Sequence, residues 1–266
     1  MSLTNGQIDN STLDTLVKLF PRFSLMSRGE LRAFARQTRA RIVEDSPRDL
    51  MIRAGAPVQE LSCLISGWAA RYTVLSDGRR QILAFMIPGS FICVHALCAP
   101  QMPFSVQALT PTVRLALDIE AVIHATRDMP RVPQIFYAIG CHDLAEAEDQ
   151  MTGLGRRDAT EKISRLILKL YTKLRAIGLA DTLAFDFPLR QNHIADSTGL
   201  TTVHVNRILR QLRLSNVATL EKGMIEIHNI EELLMLADMS AADLETFPVL
   251  PRGWSDMTEP RAGLKA

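Results

Sequence analysis

Sulfur chemistry is sparse in this chain. Its four cysteines, Cys63, Cys93, Cys98 and Cys141, form no CxxC pair and no regular framework. That excludes a disulfide scaffold and the usual paired-thiol motifs. No charged segment followed by an apolar run opens the sequence, so no secretory signal is expected, and reducing cytoplasm with free thiols is the expected setting. Internal repeats and low-complexity segments are absent. So are a Ser/His/Asp order, a phosphate-cradling glycine loop and a paired-carboxylate setting, so no enzyme is expected and no catalytic residue is assigned. Between Arg80 and Arg114 there is no Lys, Arg, Asp or Glu. Such a gap suggests a membrane span, but Pro88-Gly89, Pro100, Pro103 and Pro111 divide it. No unbroken apolar stretch approaches the ~20 residues a span requires. Short apolar runs separated by turn residues predict buried strands instead.

What is present is ordinary in bulk and uneven in detail. The 266 residues are 47% hydrophobic and 22% charged, enough for two modest globular domains with real cores. The net charge of +1 conceals a division. Residues 1–153 carry 15 Lys/Arg against 15 Asp/Glu, residues 154–225 carry 12 against 6, and residues 226–266 carry 3 against 8. A single basic block fits one region that meets phosphates, and fits equally a solvated helix face.

The periodicity changes along the chain. Residues 11–41 read as helical: Leu13, Leu16, Val17 and Phe20 share a face, and a second run from Leu31 to Arg41 follows a Ser27–Glu30 start. From about Leu50, apolar runs alternate with turn signals. Trp68–Leu75 and Arg79–Ile87 around Asp77-Gly78 predict a β-hairpin. Strand-like runs recur at Ser105–Leu109 and Val113–Leu117, and this spacing suggests a sandwich, roll or barrel. From Pro130 to about Ile177 the pattern is helical, with Gly153 and Gly155 expected to break or bend it. Ile163, Leu166, Ile167, Leu170, Leu174 and Ile177 then form a clean helical face, closed by Gly178.

The stretch from Leu189 to Leu212 carries the most functional information. It predicts a short helix over Arg190–Ser197, a turn at Thr198-Gly199-Leu200, and a longer helix capped by Thr201. Val205, Ile208, Leu209 and Leu212 form the inward face, leaving Thr202, Val203, Asn206, Arg207 and Arg210 outward. A DNA-reading helix-turn-helix needs this pattern, although two helices joined by a glycine turn also occur in other helical proteins. Arg207 suits a bidentate pair with guanine, and an outward Val203 suits a thymine methyl. Gln191, Thr201, Thr202, His204, Asn206 and Arg210 complete the candidate DNA contacts. Val217–Leu220, a Glu221-Lys222-Gly223 turn and Met224–Ile227 predict a hairpin directly after the second helix, that is, a wing. Lys222 at its tip suits a phosphate, or is an ordinary exposed turn lysine.

Taken together the chain resembles the Crp/Fnr family of bacterial transcription regulators. The resemblance rests on Leu64-Ile-Ser-Gly-Trp68, Asp77-Gly-Arg-Arg-Gln-Ile82, Pro88-Gly-Ser-Phe-Ile92, Leu154-Gly-Arg-Arg-Asp-Ala-Thr-Glu161 and the Gly199–Arg207 segment, and spans roughly Leu50 to Ala237. It implies an α+β fold: an N-terminal double-stranded β-helix (a jelly-roll-like β-roll) over residues 1–129, a long dimerisation helix over 130–156, and a C-terminal winged helix-turn-helix over 157–237. A loosely ordered extension follows over 238–266. It also implies a homodimer reading a palindrome, with double-stranded DNA and RNA polymerase as partners, an unidentified small-molecule effector as a further one, and no membrane. On the implied seam, Val132, Ile135 and Ile139 open well, then Glu146, Glu148 and Asp149 interrupt, with Leu144, Met151 and Leu154 as remaining anchors.

The departures from the family pattern are specific. Where cyclic-AMP-responsive members carry a ribose-binding Glu and a phosphate-binding Arg, this chain has Cys93-Val94 and Phe104-Ser105, so no response to cyclic AMP is expected and no cofactor is assigned. The N-terminal cysteine cluster of the oxygen-sensing branch is absent. Of the Arg, Glu and Arg that many members carry on the reading helix, only Arg207 persists, with Thr202 and Val203 in the other places. Cys93, His95 and Cys98 would suit a metal if Cys93 and His95 shared a strand face; the plainer reading is small sulfur residues in a core, and no metal ligand is assigned. The competing functional reading is a ligand- or redox-sensing module that acts through protein contacts, with a winged helix that no longer reads DNA.

Overall fold

The computed structural model describes residues 3–4, 7–8, 10–99 and 101–245. Strands β1 (Leu3–Thr4) and β2 (Gln7–Ile8) pair antiparallel ahead of helix α1 (Asn10–Leu19). A 3-10 turn over Pro21–Leu25 leads to α2 (Arg28–Gln37). Ser27 caps α2 in a reciprocal box: its Oγ accepts from the Glu30 N–H at 3.2 Å, and the Glu30 carboxylate accepts from the Ser27 N–H at 2.7 Å. The helix stops at Gln37 rather than continuing to Arg41. Arg39 takes a left-handed φ of 50°, and Arg41 opens β3.

The β-roll consists of two four-stranded antiparallel sheets. One orders β3 (Arg41–Asp45), β10 (Thr112–Asp118), β5 (Glu60–Ser66) and β8 (Phe91–Ile92); the other orders β4 (Leu50–Ile52), β9 (Ser105–Ala108), β6 (Ala69–Val74) and β7 (Arg80–Met86). The hairpin around Asp77-Gly78 forms as read, with Val74 opposite Arg80. At the β5–β6 turn Gly67 has φ +82°, and a Cβ there would lie 2.1 Å from the Pro111 carbonyl oxygen, so only glycine lets the strands approach. The charge-free segment supplies strands and a short 3-10 turn, and no helix among the described residues is long and apolar enough to cross a membrane. Buried Arg114 bounds it, its guanidinium joining Asp45 on β3 to Glu60 on β5.

Not every helix was read from the sequence. α3 (Ile119–Asp128) is capped by Asp118, whose Oδ1 accepts from the Ala121 N–H at 2.9 Å, and it buries Ile119, Val122 and Ala125. Then α4 (Arg131–Arg156) runs unbroken for 26 residues. Gly153 and Gly155 do not interrupt it. Gly153 leaves room for the Arg157 guanidinium, which would stand 3.1 Å from a Cβ at that position and donates back to the Asp149 carbonyl at 2.9 Å. The faces of α4 also differ from the expected seam. Val132, Ile135 and Ile139 are buried in the core of the β-roll half, against Phe91 and Phe136. Tyr137 (68%), Leu144 (59%) and Met151 (62%) are exposed at heptad spacing on another face, and the expected anchor Leu154 is exposed as well.

After a capping box of Asp158 and Glu161 comes α5 (Ala159–Ala176), ended by Gly178 in the left-handed region. Strand β11 (Ala184–Asp186) precedes α6 (Gln191–Thr198) and α7 (Thr202–Leu214). The hairpin β12 (Ala218–Glu221) and β13 (Met224–Ile227) and helix α8 (Ile230–Leu236) complete the head. β11 adds a third strand to the wing sheet, in the order β11-β13-β12, which the sequence reading missed. A 3-10 turn covers Ala241–Leu244; from residue 246 the expected extension lies outside the described residues. The chain is thus α+β, a jelly-roll-like β-roll joined by a long helix to a winged helix-turn-helix.

Candidate nucleic-acid interface

The helix pair is set by local chemistry. Thr198 ends α6, Gly199 turns the chain at φ 68°, and Thr201 caps α7 by accepting from the His204 N–H at 3.2 Å. Ile194, Ala195, Val205, Ile208 and Leu212 are buried, Leu209 and Leu200 partly so. The opposite face of α7 is solvent-exposed: Thr202, Val203, His204, Asn206, Arg207 and Arg210 all lie on it, with Val203 76% exposed. Thr201 is exposed at its start, and Gln191 at the start of α6 accepts from the Asn206 amide at 3.4 Å, so the two helices offer one continuous polar rim. Among the described residues Arg207 and Arg210 make no ion pair or hydrogen bond, which leaves both guanidinia available. The wing turn has positive φ at Lys222 (53°) and Gly223 (78°), the geometry of a two-residue hairpin turn. Lys222 is exposed but lines a cleft of about 710 Å³ with Lys18, Trp68 and Leu179, toward the β-roll half. Beside it, Glu221 pairs with the exposed Arg213 of α7 at 3.4 Å.

The basic block divides on folding. Arg157, Arg165 and Lys169 converge on Asp149 of α4 at 2.6, 2.9 and 2.7 Å, and Lys173 reaches Glu146 at 2.6 Å. Burial would raise both carboxyls, but the cations around them prevail: Glu146 is held at about 2, and Asp149 lies far below the usual carboxylate range. Arg165, Lys169 and Lys173 therefore lock α5 to α4, and Arg157 closes the end of α4, instead of facing solvent.

The β-roll and α4 also hold α6, through residues to which the sequence had given no role. Arg80 of β7 pairs with Asp196 of α6 at 2.8 Å, and the Gln81 and Gln150 amides both donate to the Ser197 carbonyl, at 3.3 and 2.7 Å. His193 sits beside this contact. Burial, then Arg80 and Arg190, lower its pKa to about 4, so the ring is neutral, and its Nδ1 accepts from the Arg190 N–H at 3.2 Å. Arg80 and Asp196 are 116 positions apart, a distance over which no local pattern speaks.

In the β-roll interior, Cys93 has a left-handed φ of 71° and Val94–Leu97 form a 3-10 turn, so Cys93 and His95 do not share a strand face. Burial raises the Cys93 thiol to about 12, whereas Cys98 is exposed. Among the described residues no group of three or more His, Cys, Asp and Glu could hold a metal. Phe104 is buried, with the His95 ring edge-on at 5.1 Å and the Arg71 guanidinium over its face at 5.1 Å. Ser105 Oγ accepts from the Ala54 N–H at 3.0 Å.

Capped reading helix, free guanidinia and three-stranded wing together define a DNA-binding protein of the winged helix-turn-helix class. Residues 43–127 match the model of the cyclic nucleotide-binding domain, and residues 161–236 that of the Crp-like helix-turn-helix domain. The chain is similar to the fumarate and nitrate reduction regulatory protein of Vibrio cholerae (24% identity, covering 71% of this chain and 76% of that one). It is similar also to the nitrogen fixation regulation protein FixK of Bradyrhizobium diazoefficiens (28%, covering 62% and 68%). The solved structure of FixK2 from Bradyrhizobium japonicum superposes with a TM-score of 0.69 at 26% identity, covering 76% of this chain and 99% of that one. The chain belongs to the Crp/Fnr family and is a DNA-binding transcription regulator; a module working through protein contacts alone is not favoured. The ligand that the matched β-roll domain is named for does not fit the residues present. Val94 offers no acceptor for a ribose, and Phe104 fills the place of a phosphate-binding arginine with a buried ring.

Proposed function

We propose that this regulator binds a palindromic DNA site as a homodimer, with α7 in the major groove and Arg207 on a guanine edge. The observation that carries the reading is the exposed face of α7, on which Val203, Asn206, Arg207 and Arg210 lie at helical spacing with both arginines unpaired. Val203 supplies the apolar contact for a thymine methyl; Gln191, Thr201, Thr202 and His204 supply phosphate or base-edge contacts. Lys222 contacts phosphate only if the wing tip leaves the cleft it lines. The dimer forms along Tyr137, Leu144 and Met151 of α4, a stripe of exposed apolar residues at coiled-coil spacing. Residues 1–129 act as the regulatory domain, 130–156 as the seam, 157–237 as the DNA-binding domain and 238–266 as an extension. The protein works in the cytoplasm without catalysis, contacts RNA polymerase on DNA, and responds to a small-molecule effector other than cyclic AMP.

Selection of bound sequences from random duplexes tests this reading. A palindrome with half-sites about one helical turn apart is expected. On the selected site Arg207→Ala should lose ~1–3 kcal/mol and relax one base position, and affinity should fall steeply with salt. Equal binding by wild type and variant would remove Arg207 from the reading face.

A further inference from the structure

A cavity of about 110 Å³ lies where four elements meet: the 3-10 turn after α1, β7, α4 and the end of α5. Its floor is apolar, with Phe91, Ile135, Ile139 and Ile177. Its wall is charged: Arg22 comes from the turn, Arg71 from β6, which pairs with β7, Asp143 and Glu146 from α4, and Lys173 from α5. Lys173 reaches Glu146 at 2.6 Å and Arg71 stands 3.6 Å from Asp143. His142 also lines the space, but burial together with Lys173 and Arg22 lowers its pKa and keeps the ring neutral. Three permanent cations therefore face two carboxylates, a surplus of one positive charge beside an apolar floor. The buried Arg71 Nε makes no hydrogen bond, and burial lowers the pKa of Arg22, which marks the cost of holding a cation there.

We propose that this cavity binds a small organic monoanion, a carboxylate on an apolar body of about four to six carbons. The carboxylate cancels the surplus charge and gives Arg71 an acceptor; the body covers the isoleucine floor. An inorganic anion satisfies the first condition and not the second. Because the wall joins β6, α4 and α5, an occupant favours the arrangement in which α5 stays docked on the β-roll half, and it thereby biases the reading helices. This regulatory consequence rests on the DNA-binding reading above, whereas the binding itself does not.

Calorimetry on the full chain with benzoate and hexanoate, set against benzamide and hexanamide, tests the site without DNA. The acids should saturate below about 10 mM, and the amides should bind at least about tenfold more weakly. Arg22→Gln and Lys173→Gln should bring the acids down to the level of the amides. Ala84→Leu fills the cavity without altering its charge and should abolish acid binding even if a charge variant fails to fold. Acids and amides of equal affinity, no saturation by either acid, or undiminished acid binding in Ala84→Leu would each overturn the proposal. Repeating the DNA titration with saturating benzoate then reads the coupling separately: a changed affinity supports it, and an unchanged one removes the regulatory role while leaving the binding result intact.

Discussion

The two apolar cores of this protein are closed in different ways. The first is almost self-contained: α1, α2, α3, the interior of the β-roll and the first half of α4 bury one another, and among the described residues Ile177 is the sole buried member from beyond α4. The second cannot be assembled from the winged head alone. It takes in Trp68, Ala70, Ile82, Phe85 and Ile87 from the β-roll, with Trp68 edge-on to Phe187 at 6.3 Å. The lesson is that the covalent boundary after α4 is not a boundary in packing. The head is seated on the hairpin that also carries Arg80 and Gln81, so whatever moves the hairpin moves the reading helices.

Removing the anchor that the β-roll gives the second core should have the largest effect. Trp68→Ala should cost ~3–5 kcal/mol in a urea melt, as for other large-to-small changes in a core. If the second core were complete without the β-roll, the loss would stay below ~1 kcal/mol. A smaller effect is expected at the polar lock between α4 and α5. Asp149→Ala removes the acceptor shared by Arg157, Arg165 and Lys169. It should cost ~2–3 kcal/mol, less than for a fully buried pair because this carboxylate retains some solvent.

The same lock gives an acid window. Glu146 and Asp149 titrate lower in the folded chain than in the unfolded one, so their stabilisation is complete above about pH 4.5 and is lost as pH falls toward 2. Melting temperature followed against pH should drop through that range, and the drop should shrink in Asp149→Ala. The smallest effect belongs to His193. Its folded pKa of about 4 lies below the ordinary 6.5. The unfolded chain therefore takes up a proton first on acidification, and stability declines from pH 6.5 toward 4. His193→Gln should flatten that slope; an unchanged slope would show that the contact between β-roll and head excludes no proton there.

Much of the architecture was legible in the residues. The Ser27 and Thr201 caps, the Asp77-Gly78 and Lys222-Gly223 turns and the Gly199 corner act within three or four positions, and each produced the element expected of it; the Asp158 cap of α5 was not read. The inward and outward faces of α7 followed from helical period. α4 was read less well. Its period defines faces but does not say which one a neighbour will cover, so Val132, Ile135 and Ile139 were assigned to the seam although the β-roll buries them. Gly153 read as a break because the guanidinium that needs the space there belongs to a residue beyond the helix; Gly155 has open space around it and the helix runs through. α3 was passed over because Ile119, Val122 and Ala125 follow directly on a strand of similar composition.

What the sequence determined by itself is the set of parts: a β-roll, a long helix, a capped reading helix with Arg207 outward, and a wing. Those depend on backbone conformation and short-range capping, which neighbouring residues control. Only the tertiary structure decided which basic residues remain free for a polyanion and which are consumed against Asp149 and Glu146. It also decided that Phe104 fills the roll and that a charged cavity opens where α5 meets the β-roll half. Electrostatic pairing and cavity shape depend on groups brought together from opposite ends of the chain, and that juxtaposition exists only after folding.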